Sequence, residues 1–147
     1  MLTDEFVPLL ADHGLITTAI GLYGFSMGGY GALRLAGILG PARVAAVVAV
    51  SAALFASVSD AAPGAFDDAQ DFARNDVMHQ QSLLAGIPTR LDCGDGDSFK
   101  PAVKRYRSGF PASHTPTGGF QPGAHDENYW RRMATTELRF IARHLGP

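Results

Sequence analysis

Apolar residues recur along this chain with two different periods. Residues 17–23 form a short, β-branched and apolar stretch bounded by glycines, which predicts a strand. From 27 to 39, Tyr30, Leu33, Ala36 and Leu39 return at helical spacing, and Gly40-Pro41 closes the run as a helix stop. Residues 44–50 are apolar throughout. A strand with no polar face is buried on both sides, as in a parallel sheet covered by helices. Residues 89–93 predict a third strand, 99–107 a helix, and 111–123 a loop with a short strand. Across 126–145, Trp130, Met133, Ala134, Leu138, Ile141 and Leu145 share one face of a final helix. At the front, Thr3 is placed to cap a helix reaching His13, with Asp4 and Glu5 in its first turn and Gly14 as its stop. Residues 52–84 are rich in Ala, Asp and Ser, with Pro63-Gly64 inside, and predict a surface excursion with short helices after Pro63 and after Asn75. Strands alternating with helices predict an α/β fold: a mostly parallel sheet with right-handed crossovers, flanked by helices, with residues 1–147 as one domain.

Composition narrows the function classes. The 147 residues are 46% hydrophobic, with 12 Lys+Arg against 14 Asp+Glu, which excludes a collagenous or disordered chain. At this length roughly two-thirds of the unfolded surface can be buried, enough for a core without disulfides or metal. The net charge of −2 argues against a nucleic-acid partner. Lys100, Lys104, Arg105 and Arg107 make only a short solvated basic face. No stretch reaches the ~18 apolar residues of a membrane span, because the longest, 44–58, is broken by Ser51 and Ser57. The amino terminus lacks the basic start and apolar run of a secretory signal, and Cys93 stands alone, so a cytoplasmic location is expected.

One motif carries chemistry. Gly24-Phe25-Ser26-Met27-Gly28 has the form G-x-S-x-G between a predicted strand and a predicted helix, the context of a nucleophile elbow. A tight strand-to-helix turn exposes one side chain and demands small residues two before and two after it. The helix behind the turn aims unpaired N–H groups at Ser26, where negative charge would develop. A serine hydroxyl needs a histidine to take its proton and a carboxylate to orient that histidine, in the chain order Ser, acid, His. Gly94-Asp95-Gly96-Asp97-Ser98 follows the third strand and offers two acids. Asp97 is preferred, since Asp95 sits between two glycines like a turn residue. Of the five histidines, His13 and His144 lie in the last turns of helices, where a cation is simply favourable, and His79 lies in the excursion. His114 and His125 remain; His125 precedes the final helix and is the stronger candidate base.

These residues resemble the esterase-D-like esterases of the α/β-hydrolase superfamily, which include S-formylglutathione hydrolases and mycolyltransferases. The matching pieces are Tyr23-Gly-Phe-Ser-Met-Gly-Gly-Tyr-Gly-Ala-Leu33, the strand at 47–51, Asp92-Cys-Gly-Asp-Gly-Asp-Ser-Phe99 and Gly123-Ala-His-Asp-Glu-Asn-Tyr-Trp130. The resemblance implies Ser26 as nucleophile, Asp97 as acid and His125 as base, acting on a small carboxylic ester or thioester, with no metal or organic cofactor. Met27 would give a backbone N–H to the oxyanion, and Phe25 would help shape the acyl pocket. Family members carry several strands and an oxyanion loop ahead of the helix with which this chain opens. The expectation is therefore the carboxyl-terminal portion of a hydrolase, with 17–23 as an open sheet edge prone to self-association. An acyltransferase would use the same three residues. A catalytically silent fragment or interaction module lacking the oxyanion loop is the competing reading.

Overall fold

Burial on both faces of an all-apolar strand sets the architecture. The computed structural model describes residues 2–146. A π-type turn (Leu2–Phe6) leads into helix α1 (Val7–Asp12), followed by strand β1 (Ile20–Phe25), α2 (Met27–Leu39), β2 (Val44–Val50), α3 (Ala69–Asn75), β3 (Thr89–Gly94), α4 (Lys100–Ser108), β4 (Thr117–Gln121) and α5 (Glu127–Ala142). The four strands pair in parallel in the order β1-β2-β3-β4. Among the described residues, β1 and β4 are the two edges. In β2, Val47 and Ala49 point into a core with Tyr30, Leu33 and Ala36 of α2 and Val103 and Tyr106 of α4. Ala46, Val48 and Val50 point the other way, against Tyr129, Phe140 and Ile141 of α5. Alternating side chains of one strand thus feed both layers. Gly21 lets α5 come down on β1, since a Cβ there would collide with Ile141.

Four features differ from the sequence expectation. First, β1 starts at Ile20 and continues through Gly24 and Phe25, because the ladder to Ala49 and Val50 runs up to the turn itself. Second, residues 52–84 are not all surface: Ala52 to Phe55, Val77, Met78 and Leu84 are buried, while α3, capped by Asp68 accepting from the Asp71 N–H at 2.7 Å, stays outside. Their polar composition hides apolar residues at both ends of the segment that close the core over α2. Third, Leu138 and Leu145 of the final helix are exposed, and the buried positions are Tyr129, Glu137, Phe140 and Ile141. The inward stripe is rotated by about one residue because Glu137 takes a buried position that a hydropathy pattern assigns to water. Thr3 donates its hydroxyl to Asp4 at 2.9 Å instead of capping the first helix.

Glu137 is fully buried beneath β1. Tyr23 donates its hydroxyl to Glu137 Oε2 at 3.0 Å, and the Asp92 carboxyl is a close neighbour of the same group. Burial pushes the Glu137 carboxyl up to about 7; the Tyr23 hydrogen bond pulls it down and nearby Asp92 pushes it up. A carboxyl whose folded value lies above its ordinary 4.5 gives its full contribution below that pH and loses it as pH rises towards 7. Urea unfolding should show the native protein losing up to about 3 kcal/mol from this site over that interval, at about 1.4 kcal/mol per pH unit. Glu137→Gln keeps the shape without the charge and should flatten that slope. Parallel pH profiles for the two proteins would contradict the assignment.

Candidate active site

All four strands end on one rim, so the residues that follow them gather there. Ser26 follows β1 in a conformation rare for a residue with a side chain, φ 55° and ψ −125°. The turn is fixed by its backbone: the Ser26 N–H donates to the Val50 carbonyl at 2.9 Å, and the Ser26 carbonyl accepts from Tyr30 and Ala53 at 3.1 and 3.0 Å. The steric demand on this turn falls on Gly24, where a Cβ would run into the Gly28 carbonyl, and on Gly29, where it would press on Ala52 at 3.2 Å. At Gly28 an added Cβ meets nothing within 4 Å, so the expectation of a required small residue there is corrected. It is the backbone of Gly28 that approaches Gly24.

Asp97 lies beyond β3 with its side chain fully buried, and its Oδ1 accepts from the Phe99 N–H at 2.8 Å. His125 lies between β4 and α5, with Nδ1 2.9 Å from Asp97 Oδ2 and Nε2 3.0 Å from Ser26 Oγ. A carboxylate can only accept, so Nδ1 carries the proton and Nε2 presents its lone pair to the serine hydroxyl. The imidazole is held between Phe99 and Trp130, each with its ring centroid 5.2 Å away. The loops bearing Asp97 and His125 are stitched by main-chain bonds, Asp95 N–H to the Gln121 carbonyl and Gly96 N–H to the Gly123 carbonyl, both 2.8 Å. Gly123, at φ 154°, passes so close to the Tyr129 ring that a Cβ would overlap it.

The other candidates lie elsewhere. Asp95 is exposed and pairs with Lys100 Nζ at 2.6 Å. His79 pairs with Asp76, His114 stacks on Phe110, His144 bonds the Phe140 carbonyl through Nδ1, and His13 ends α1. Met27 opens α2, where the first N–H groups have no acceptor within the helix. Phe25 is 45% exposed and stacks on Trp130 at 4.5 Å. Together with Tyr23, Glu127, Arg131 and Ala134 they line a cleft of about 330 Å³. A second cleft, of about 260 Å³, includes Leu54, Phe55, Ser98 and Phe99. Burial pushes the thiol of Cys93, below Asp97, up to about 12, and the Asp97 carboxylate adds to that rise. Trp130, which the hydrophobic pattern marks only as a helix-face residue, proves to be a wall of the histidine site. Among the described residues no group of three His, Cys, Asp or Glu is placed to hold a metal, and no helix is long and apolar enough to cross a membrane.

No protein-family model matches this sequence, and no curated protein is similar to it. Solved structures are similar in fold. A ferulic acid esterase superposes with a TM-score of 0.76 at 22% identity, over 99% of this chain and 60% of its own. An S-formylglutathione hydrolase from Agrobacterium tumefaciens gives 0.66 at 22%, over 99% and 56%. A fluorophosphonate-binding serine hydrolase from Staphylococcus aureus gives 0.67 at 17%, over 93% and 62%. The chain therefore has an α/β-hydrolase fold over the part it spans, which is about 60% of the length of the first of these structures.

The turn geometry makes a test of its own. Gly24→Ala should cost about 3 kcal/mol or more in urea unfolding, because the clash is with backbone that cannot yield. Gly28→Ala should be neutral or stabilising by up to about 1 kcal/mol, as expected for alanine in an open helical position. Equal losses at the two positions would contradict this account of the turn.

Proposed function

We propose that this chain is the triad-bearing part of a serine hydrolase that cleaves carboxylic esters or thioesters through an acyl-enzyme. The observation that carries this reading is the unbroken line from Asp97 Oδ2 through His125 to Ser26 Oγ, at 2.9 and 3.0 Å. Fold likeness to a ferulic acid esterase, an S-formylglutathione hydrolase and a fluorophosphonate-binding serine hydrolase supports the same reaction class.

In this mechanism Ser26 Oγ attacks the carbonyl carbon while its proton passes to His125 Nε2. Asp97 holds the imidazole in the required tautomer and stabilises the imidazolium. The carbonyl π electrons move onto oxygen, and the resulting oxyanion is met by the Met27 N–H at the positive end of α2. Collapse of the tetrahedral species breaks the bond to the alkoxide or thiolate leaving group, which takes the proton from Nε2. Water, deprotonated by His125, then attacks the acyl carbon and releases the carboxylic acid and Ser26. An alcohol in place of water would make the same residues an acyltransferase. Phe25, on the aromatic cleft beside Ser26, is assigned to substrate contact. Among the described residues β1 is an edge strand, which supports pairing of chains through that edge; sedimentation velocity would report it as species larger than one chain.

The test is labelling of the purified chain with a fluorophosphonate probe. Native protein should label at Ser26, and Ser26→Ala should not. Asp97→Asn should slow labelling by on the order of 10³-fold or more, as loss of the orienting carboxylate does in such triads, whereas Asp95→Asn should stay within about threefold of native. Folded native protein that never labels would overturn the enzymatic reading in favour of a silent module. Stronger loss at Asp95 would overturn the choice of acid.

A further inference from the structure

The segment carrying His125 is anchored at both ends by a hydrogen-bonded chain that the reaction as described does not use. Before His125, Gln121 ends β4; after it, Tyr129 lies in the first turn of α5. Tyr129 donates its hydroxyl to Gln121 Oε1 at 2.5 Å, and Gln121 Nε2 donates to Asp92 Oδ1 at 3.1 Å. Asp92 is fully buried in β3. Its carboxylate also accepts from the Gly119 N–H at 3.1 Å and from Arg90, with Nε 2.5 Å from Oδ2 and the second guanidinium contact at 3.3 Å. One amide therefore ties three elements together: β3, which leads to Asp97, β4, which leads to His125, and the helix that follows.

The same residue holds the loops through its backbone, since the Gln121 carbonyl accepts from the Asp95 N–H. The Tyr129 ring lies against Gly123, two residues before His125. The Tyr129 N–H donates to the N-cap carboxylate of Asp126 at 2.9 Å, and the hydroxyl adds a second directional bond at the far end of the ring. Removing the amide would leave a buried phenol without its acceptor and a buried carboxylate short of a donor, and the cheapest relief is a shift of the loop between them. Relaxation of this kind moves the imidazole relative to Ser26, and a misplacement of about 1 Å can cost on the order of 10²-fold in rate.

We propose that Gln121 is a positioning residue, whose side-chain bridge between Asp92 and Tyr129 sets the distance and tautomer of His125. The proposal rests on the reading of Ser26, His125 and Asp97 as a triad, and its test separates the two. Gln121→Met keeps the length of the side chain without its hydrogen bonds; Tyr129→Phe keeps the ring against Gly123 and removes only the hydroxyl. Nitrogen-15 NMR of the histidine side chains reads the tautomer of His125 directly, and fluorophosphonate labelling reads Ser26.

In the native protein His125 should be the Nδ1-protonated tautomer. In Gln121→Met it should move towards the Nε2-protonated form, with labelling at least tenfold slower; Tyr129→Phe should move the same way by a smaller factor of about two to five. A native protein that shows the Nδ1-protonated form, loses it in Gln121→Met and never labels would uphold Gln121 and overturn the hydrolase reading. Native His125 nitrogen shifts retained in both variants, even with lowered melting temperatures, would reduce the bridge to a purely structural one and overturn the proposal. A native His125 in the Nε2-protonated form would overturn it equally.

Discussion

Parallel pairing in chain order is the constraint from which the site follows. Strands that run the same way all finish at one rim, so whatever the chain places after each strand is delivered to a common edge. Ser26 and His125 meet although 99 positions separate them, and Asp97 and His125 although 28 do. No local interaction could bring them together. The registers Gly24 to Ala49, Val50 to Asp92 and Asp92 to Gly119 hold the strand ends level, and the apolar faces of β2 hold the registers. Main-chain bonds from Asp95 and Gly96 to the loop before His125 then complete the alignment with directional contacts that burial alone does not supply.

The rim carries local costs which the rest of the fold offsets. Ser26 and Ser51 both adopt positive φ, at 55° and 48°, immediately after β1 and β2. Conformations of this kind cost about 1 to 3 kcal/mol each and persist only where their surroundings dictate them. At Ser26 the dictating contacts are the Val50 carbonyl behind it and the N–H groups of Tyr30 and Ala53 ahead. The result is a hydroxyl raised above the sheet, with the positive end of α2 beside it. Beneath the rim, Asp92, Gln121, Tyr129, Tyr23 and Glu137 carry polar atoms into the layer under α5. Their pairing is directional; with the Asp126 side chain, which accepts from the Tyr129 N–H at 2.9 Å as the N-cap, it fixes the first turn of α5 over the sheet.

Much of this was legible in the residues themselves. The all-apolar stretch of β2 announced a sheet covered on both faces, and the order of Ser26, Asp97 and His125 along the chain, each after a strand, matched the order in which a parallel sheet delivers them. Asp97 stood out from Asp95 by its neighbours, and in the structure it is Asp97 that is buried against His125 while Asp95 turns outward to Lys100. What stayed hidden depended on long-range packing. Glu137 reads as a surface residue until Tyr23 is known to sit over it, and with it the whole stripe of α5 shifts. The apolar ends of 52–84 are separated by a polar stretch, so no periodicity shows that they join one core. Gly28 and Gly29 are indistinguishable in a motif; only the approach of the Gly24 carbonyl and Ala52 shows that the crowded position is Gly29.

On the proposed reading, Ser26 is a nucleophile that is acylated and then freed by water. Mixing the protein with p-nitrophenyl acetate, quenching in acid at successive times, and sequencing the proteolytic peptides by mass spectrometry tests it directly. An acetyl group should appear on the peptide containing Ser26, located on that serine, within the first turnover, and should decay once the ester is exhausted. Acetylation confined to lysines or the amino terminus, with Ser26 unmodified at every time point, would contradict it.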